Sequence, residues 1–321
     1  MSTGLLVPSM VRDVTDYAER AEDLGYDRFW TGELWGRDAF VSLTAAACRT
    51  SELSFGTSIL NVFGRSPATL AQGAATLQRE SGGRFTLGLG TSTKKAVEDL
   101  HGATWDRPVR RLHETVELTK RFLTSEGRVK YDGELYEVAD FPSQETPVPI
   151  YTAALGPAMR RATGRTADGW LPHNIPFAHL PDAFQVIADT ASAVERDPDE
   201  IEVAPYVPCA VDPDPAAARA LIRGHIAYYA GSGAGYRRAM STYYDEIEDI
   251  ASAWAEGDRD LARELVTDEM ISGLGVAGSA EQAREQLATI RDIDVIDEPI
   301  VVMPGGADET TMDRTIEALA P

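Results

Sequence analysis

The sequence predicts an α/β fold, a (β/α)8 TIM barrel with a helical insertion before strand eight. Three observations predict it. Short apolar runs recur along the chain, and each is followed by a stretch with helical periodicity. Eight such units succeed one another, which argues for parallel strands joined by right-handed crossovers. No linker or low-complexity tract divides the 321 residues, and 43% of them are apolar, enough for a sizeable core. An open doubly wound sheet is the alternative, but the undivided chain suits a closed ring better. One domain over residues 1–321 is expected, with the insertion at about 231–271.

Gly4-Leu-Leu-Val-Pro8 reads as strand one. Residues 13–24 place Val14, Tyr17, Ala18 and Ala21 on one helical face, and Gly25 follows as a C-terminal cap. Strand two is Asp27-Arg-Phe-Trp-Thr31, with a helix over 38–50 behind it. Strand three covers 53–59, and the helix over 67–79 has a small-residue face of Ala68, Ala71, Ala74 and Ala75. Arg84-Phe-Thr-Leu-Gly-Leu-Gly90 is strand four, and 108–124 is a long amphipathic helix. Residues 128–138 predict a hairpin turning at Asp132-Gly133.

Strand five begins at Ile150 and is broken by Gly156-Pro157, with Pro157 suited to the first position of a helix. Ala167-Asp168-Gly169-Trp170 begins strand six, and 201–207 is strand seven between helices over 180–195 and 215–230. Gly231-Ser-Gly-Ala-Gly235 reads as a flexible hinge opening the insertion. Ser279 caps a helix through 290, with Glu281 and Gln282 in its first turn. Pro299-Ile-Val-Val-Met303 is strand eight, and 310–319 is the closing helix.

The formal net charge is −21 and the sequence pI about 4.6, which argues against nucleic-acid or anionic-membrane partners. Lysine occurs only at Lys94, Lys95, Lys120 and Lys130. Such an acidic, Lys-poor surface suggests adaptation to high salt, where self-repulsion is screened. Cys48 and Cys209 are too few for a disulfide framework or a zinc site. No signal peptide or long apolar span is evident, so a cytoplasmic location is expected.

A barrel builds its site at the C-terminal ends of its strands. Those ends are Pro8-Ser9, Gly32-Glu33-Leu34-Trp35, Ser58-Ile59-Leu60-Asn61, Gly90-Thr91-Ser92-Thr93-Lys94-Lys95, Ala154-Leu155-Gly156, and Trp170, Pro172, His173 and Asn174. They are rich in hydroxyls and main-chain amides and hold no metal-ligand cluster or nucleophile elbow. Such a rim suits a bound cofactor that carries the reactive atom. The helix start at Gly156-Pro157 is either an ordinary turn or an anion nest for a phosphate. Gly88-Leu-Gly90 lacks a third glycine and an immediate helix, so it is no dinucleotide fingerprint. Glu33 is a cap or the group that handles a proton or orients substrate. Trp35, Trp170 and His173 are packing residues or substrate contacts. Lys94-Lys95 is a solvated pair or a holder of an acidic group.

Several stretches in order carry a family resemblance. They are Ala21-Glu-Asp-Leu-Gly-Tyr-Asp27, Phe55-Gly-Thr-Ser-Ile-Leu60 with Arg65-Ser-Pro-Ala68, and Arg84-Phe-Thr-Leu-Gly-Leu-Gly-Thr91. Ala153-Ala-Leu-Gly-Pro-Ala158, Gly164-Arg-Thr-Ala-Asp-Gly169 and Val276-Ala-Gly-Ser-Ala-Glu281 complete the set. Together they resemble the bacterial luciferase-like oxidoreductases, in particular the branch that uses the deazaflavin coenzyme F420. Asp38-Ala-Phe-Val-Ser-Leu43 looks most like the methylenetetrahydromethanopterin reductases.

The resemblance implies a barrel with an insertion before strand eight and a cis peptide at Ser58–Ile59. It implies that Ser58 and Ile59 back the deazaflavin ring, and that Thr91 and Ser92 bond its polar edge. It implies that Ala154, Leu155 and Gly156 line the stem, with the amides at Leu155 and Gly156 on the phosphate. A homodimer or larger homo-oligomer and a small-molecule substrate are also implied. The His and Glu of the dehydrogenase relatives fall at Glu33 and Thr93, so their acid–base pair is missing. The strand-one Glu of the pterin reductases is absent from Gly4-Leu-Leu-Val-Pro8. The expected activity is F420-dependent hydride transfer to or from a small organic, possibly pterin-type, molecule. A flavin mononucleotide (FMN) monooxygenase on the same barrel and a non-catalytic cofactor-binding barrel are the rivals.

Dialysis from high to low salt is expected to lower the melting temperature, because self-repulsion is then unscreened. A melting temperature independent of salt would contradict the reading of the acidic surface.

Overall fold

Strand one (Gly4–Val7) pairs in parallel with strand two (Arg28–Thr31) on one side and with strand eight (Ile300–Val302) on the other. The chain's two ends are thereby joined edge to edge in a computed structural model that describes residues 2–8 and 13–321. Ser9, at the end of strand one, lies outside the described residues. The pairing continues through strand three (Ser54–Thr57, resuming at Leu60–Asn61), strand four (Phe85–Gly90), strand five (Ile150–Thr152) and strand six (Gly169–Trp170).

Strand seven completes the ring. Its first part, Glu202–Val203, pairs with strand six, and its second, Tyr206–Val211, pairs with strand eight. Between the two, Ala204 N donates to Trp170 O at 2.9 Å, while Ile300 N donates to Pro205 O at 2.9 Å. Pro205 has no N–H, which explains the interruption. The barrel is therefore closed, as expected, but strand seven extends beyond the anticipated 207. A short strand, Val276–Gly278, pairs with the far end of strand seven and was not anticipated.

The helices follow from local chemistry. Asp38, Ser66, Asp214 and Asp308 each accept a first-turn amide, and Ser279 forms a full capping box with Gln282. Helix Pro108–Thr124 has the expected bounds, and Pro157 is the first residue of helix Pro157–Thr166. The hairpin strands are Arg128–Asp132 and Glu137–Pro142, and the turn runs through 133–136 rather than at Asp132-Gly133. Buried Glu114, from the long helix, accepts from Glu134 N at 3.0 Å and Leu135 N at 2.9 Å and so holds the longer loop.

The expected hinge is a correction. Gly231 and Ser232 belong to helix Pro215–Ser232, and a Cβ on Gly231 would lie 2.0 Å from the Trp254 ring. Gly231 is there for close packing, and the break falls at Gly233. Helices Ala234–Met240, Ile247–Glu256, Arg259–Glu264 and Asp268–Leu274 follow. They enclose an apolar cluster with Ile222, Ile226, Met240, Ile250 and Met270 that reaches Ala210 on strand seven.

Two rings fill the barrel interior. Trp30 and Tyr151 have centroids 6.0 Å apart, and a Cβ on Gly56 would lie 2.2 Å from Trp30. Below them Glu298 pairs with Arg28 at 2.9 Å and accepts from Trp30 Nε1 at 2.7 Å. The Arg28 guanidinium lies 5.3 Å from the Trp30 ring centre, and Tyr151 bonds Glu202. Burial pushes the Glu298 carboxyl up to about 7, with Arg28 and the Trp30 bond opposing.

The folded chain then holds a proton on Glu298 that the unfolded chain releases above its ordinary 4.5, so stability falls as pH rises from about 4.5 to about 7. Urea unfolding across that window should show the wild type losing roughly 3 kcal/mol that Glu298→Gln does not lose. Parallel pH profiles of the two proteins would remove this assignment.

Candidate active site

At the C-terminal face, strand three is interrupted by a cis peptide between Ser58 and Ile59. Its neighbours are glycines for steric reasons. A Cβ on Gly32 would lie 2.8 Å from Ser58 O, and one on Gly90 would lie 2.9 Å from Ile59 Cγ1. Ser58 N donates to Thr31 O at 2.8 Å, and Ala153 N donates to Leu89 O at 2.9 Å. The fold thus brings Ser58 and Ile59 beside the end of strand four, where Thr91 and Ser92 are half-buried and Ser92 has φ +60°. Ala154, Leu155 and Gly156 follow on strand five, and the space where a Gly156 Cβ would stand is open.

Two amide groups at strand ends carry buried donors with no acceptor, Asn61 Nδ2 and Asn174 Nδ2. The other end of Asn61 is used: Oδ1 accepts from Phe63 N at 2.9 Å. Unmatched donors of this kind, beside hydroxyls and free first-turn amides, fit a ligand rich in carbonyl and phosphate acceptors.

Glu33 is tied down. Arg65 donates to both of its oxygens, the Nη2–Oε2 contact being 3.0 Å, and Ala39 N donates to Oε2 at 2.9 Å. Arg65 also reaches Asp38 at 2.5 Å. Glu33 therefore anchors the loop after strand two to the start of helix Ala39–Ala47. Trp35, on the same loop, is 63% exposed.

Trp170 is a correction. It is fully buried, donates from Nε1 to Ala154 O at 2.9 Å and stacks on Phe184 at 6.4 Å. Its side chain packs beneath the helices outside strands five and six, so it offers no face to a substrate. Alternation along the strand turns it away from the interior. Lys94 and Lys95 are also turned away: they pair with Glu98 at 3.8 Å and Asp99 at 2.5 Å, one helical turn on.

His173 is buried, as its place on the rim allows, and it has company that the sequence reading missed. His173 Nε2 lies 3.4 Å from His225 Nε2. The His173 ring is 5.0 Å from Tyr206, 4.5 Å from Tyr229 and 5.6 Å from Tyr236. Tyr206 in turn bonds Ser58 Oγ. Burial first, then His225, pushes His173 well below its ordinary value, and burial alone takes His225 down to about 4. Both imidazoles are neutral near pH 7. The available signal was the four-residue spacing of His225 and Tyr229, which puts both on one helical face.

A groove of about 850 Å³ lies elsewhere, between the long helix and the hairpin. Two of its ion pairs are internal, Arg110 with Glu134 at 2.8 Å and Arg121 with Glu117 at 2.7 Å. Among the described residues no group of His, Cys, Asp and Glu is placed to hold a metal ion, and no helix is long and apolar enough to cross a membrane.

Fold and site together define a barrel of the luciferase-like class, and the chain belongs to the family described as luciferase-like monooxygenase, matched over residues 2–295. A 5,10-methylenetetrahydromethanopterin reductase of Methanolobus tindarius is 32% identical over 305 residues, covering 92% of each chain. A putative coenzyme F420-dependent oxidoreductase of Mycobacterium tuberculosis is 27% identical, covering 84% of each. The solved coenzyme F420-dependent tetrahydromethanopterin reductase of Methanopyrus kandleri superposes with a TM-score of 0.82 at 26% identity, over 99% of this chain and 97% of that one.

Arg65→Met strands Glu33 and Asp38 without their cation. It should cost roughly 1.5–3 kcal/mol in urea unfolding, the range for hydrogen bonds to charged groups. An unchanged midpoint would show that the loop is anchored otherwise.

Proposed function

We propose that the chain is a coenzyme F420-dependent oxidoreductase that moves a hydride between the deazaflavin C5 and a small organic molecule, with pterins the first substrates to try. The observation that carries the reading is the make-up of the strand ends. Hydroxyls, main-chain amides and the unmatched Asn61 and Asn174 donors lie at the strand ends, while Glu33, the nearest carboxylate after strand two, is committed to Arg65. Such a site binds and positions; the bound deazaflavin supplies the hydride chemistry. The full-length likeness to F420-dependent reductases supports the same reading.

In this reading Ser58 and Ile59 back the ring, and Tyr206 keeps the Ser58 hydroxyl turned across the barrel. Thr91 and Ser92 bond the polar edge, and Ala154, Leu155 and Gly156 line the stem. His173, neutral and packed against Tyr229 and Tyr236, forms the substrate side and helps exclude water. Glu33 orients the loop that carries Trp35, which covers the mouth; a direct proton-handling role for Glu33 is tested by Glu33→Gln. A homodimer or larger homo-oligomer acting on a small-molecule substrate is part of the same reading.

Titration of the purified protein in high salt, with F420 and with FMN, tests the proposal. Binding of F420 at least about tenfold tighter than FMN is expected, a gap of about 1.4 kcal/mol. Retained yellow flavin with oxygen consumption would favour the monooxygenase reading instead. Tight F420 binding with no turnover across a substrate panel would leave a binding barrel.

A further inference from the structure

Leu171 packs in the barrel interior with Trp30 and Tyr151. Strand six stays extended past it, because Tyr206 N donates to Pro172 O at 3.0 Å. Alternation then turns His173 to the interior side, one step above Leu171. Partly buried Leu6, Ile59, Ala153 and Tyr206 pack over the same interior cluster. They lie on or just past strands one, three, five and seven. Alternate strands supply one layer of such a barrel, so these four side chains form the floor of the mouth. His173 stands against that floor, its ring 5.0 Å from Tyr206, and Tyr206 bonds Ser58. Gly32 and Gly90 put no side chain beside Ser58 and Ile59.

His173 and His225 are each 6% exposed. Among the described residues the one hydrogen bond of either ring is the one they share, Nε2 to Nε2 at 3.4 Å. One neutral ring must donate and the other accept, so one Nδ1 of the pair is a bare acceptor and the other an N–H. Apolar side chains would fill the same space without unmatched nitrogens. The groups facing the pair are Tyr206 from strand seven, Tyr229 from helix Pro215–Ser232 and Tyr236 from helix Ala234–Met240. Burial raises all three phenols, Tyr236 to about 12, so they stay neutral. No carboxylate or cation contributes to the lowering of either histidine. Nothing charged therefore fixes the tautomer of either ring, and a proton can pass from one Nε2 to the other.

We propose that His173 exchanges the proton that accompanies the hydride and that His225 relays it, so that the reacting carbon of the substrate bears an O–H or N–H. This rests on the F420 reading, which supplies the hydride partner. In the oxidative direction the substrate C–H bond breaks, and its electron pair leaves as hydride to the deazaflavin. The O–H or N–H bond breaks too; its electron pair forms the new double bond to carbon, and its proton passes to His173 Nδ1. The Nε2 proton of His173 passes to His225 Nε2, and the imidazolium so formed loses a proton to water. Reduction of the carbonyl or imine runs the same steps backwards. His173 meets the substrate, and His225 acts through it. The pair thus supplies the proton exchange that Glu33, committed to Arg65, does not.

The experiment compares wild type, His173→Gln and His225→Gln. F420 is titrated into each, and equal affinity is expected. A panel of secondary alcohols and primary amines is then offered to the loaded proteins across pH, with F420 reduction followed. His173→Gln should lower kcat by roughly a hundredfold or more with KM little changed, the lower end of general acid–base catalysis. His225→Gln keeps an acceptor for His173 Nε2 but carries no proton onward, so it should lose part of the same factor. Wild-type kcat/KM should hold level below the ordinary histidine value of 6.5, because burial and His225 hold His173 down. Without His225 the fall should move to higher pH. Nitrogen NMR of the ligand-free wild type should show one ring protonated at Nε2 and the other at Nδ1. Two rings of one tautomer would overturn the proposal, as would equal kcat in wild type and His173→Gln. Should His173→Gln not fold, the His225→Gln pH profile decides, and an unshifted profile ends the proposal. Tight F420 binding by a wild type that oxidises no alcohol or amine ends it too and leaves the F420 reading standing. Absence of F420 binding fells both.

Discussion

Strand seven holds the ring together by bonding in both directions. Its first residues complete strand six and its later ones complete strand eight, with Pro205 marking the handover. The closed ring leaves none of its eight barrel strands with a free edge over its paired length, and the main-chain groups free to meet a ligand are those past the strand ends. The interior below the site is solid, filled by Trp30 and Tyr151 over the Arg28–Glu298 pair. The floor of the site is therefore rigid, and its chemistry is confined to the loops of the C-terminal face.

Charge in those loops is distributed unevenly. After strand two, Arg65 neutralises Glu33 and Asp38 within the chain. After strand five, helix Pro157–Thr166 begins with no acidic residue in its first turn and no side-chain cap. Between them lie neutral groups: hydroxyls, amides, and two histidines kept uncharged by burial. A further wall comes from helix Pro215–Ser232, which carries His225 and Tyr229, and from the first helix of the insertion, which carries Tyr236.

Much of the scaffold was legible because it is set by short-range rules. The helix bounds at Pro108–Thr124, the proline start of helix Pro157–Thr166 and the Ser279 capping box all depend on residues within a few positions of one another. The location of Ser58, Ile59, Thr91, Ser92 and the Ala154–Gly156 turn at strand ends follows from the same reading. The misplacements came from contacts that local pattern does not encode. The Asp132-Gly133 turn is lengthened by Glu114, and Gly231 is a packing glycine because Trp254 lies against it.

By itself the sequence determined the alternation of strand and helix, the acidic character of the chain and the small, hydroxyl-rich make-up of the rim. Those properties are periodic or compositional, so they can be read without knowing which segments meet. The tertiary structure alone decided that Trp170 faces the helices, that Arg65 occupies Glu33, and that Tyr206 reaches Ser58 across 148 positions of chain. Such pairings arise when ring closure brings distant strands together, and no spacing along the chain records them.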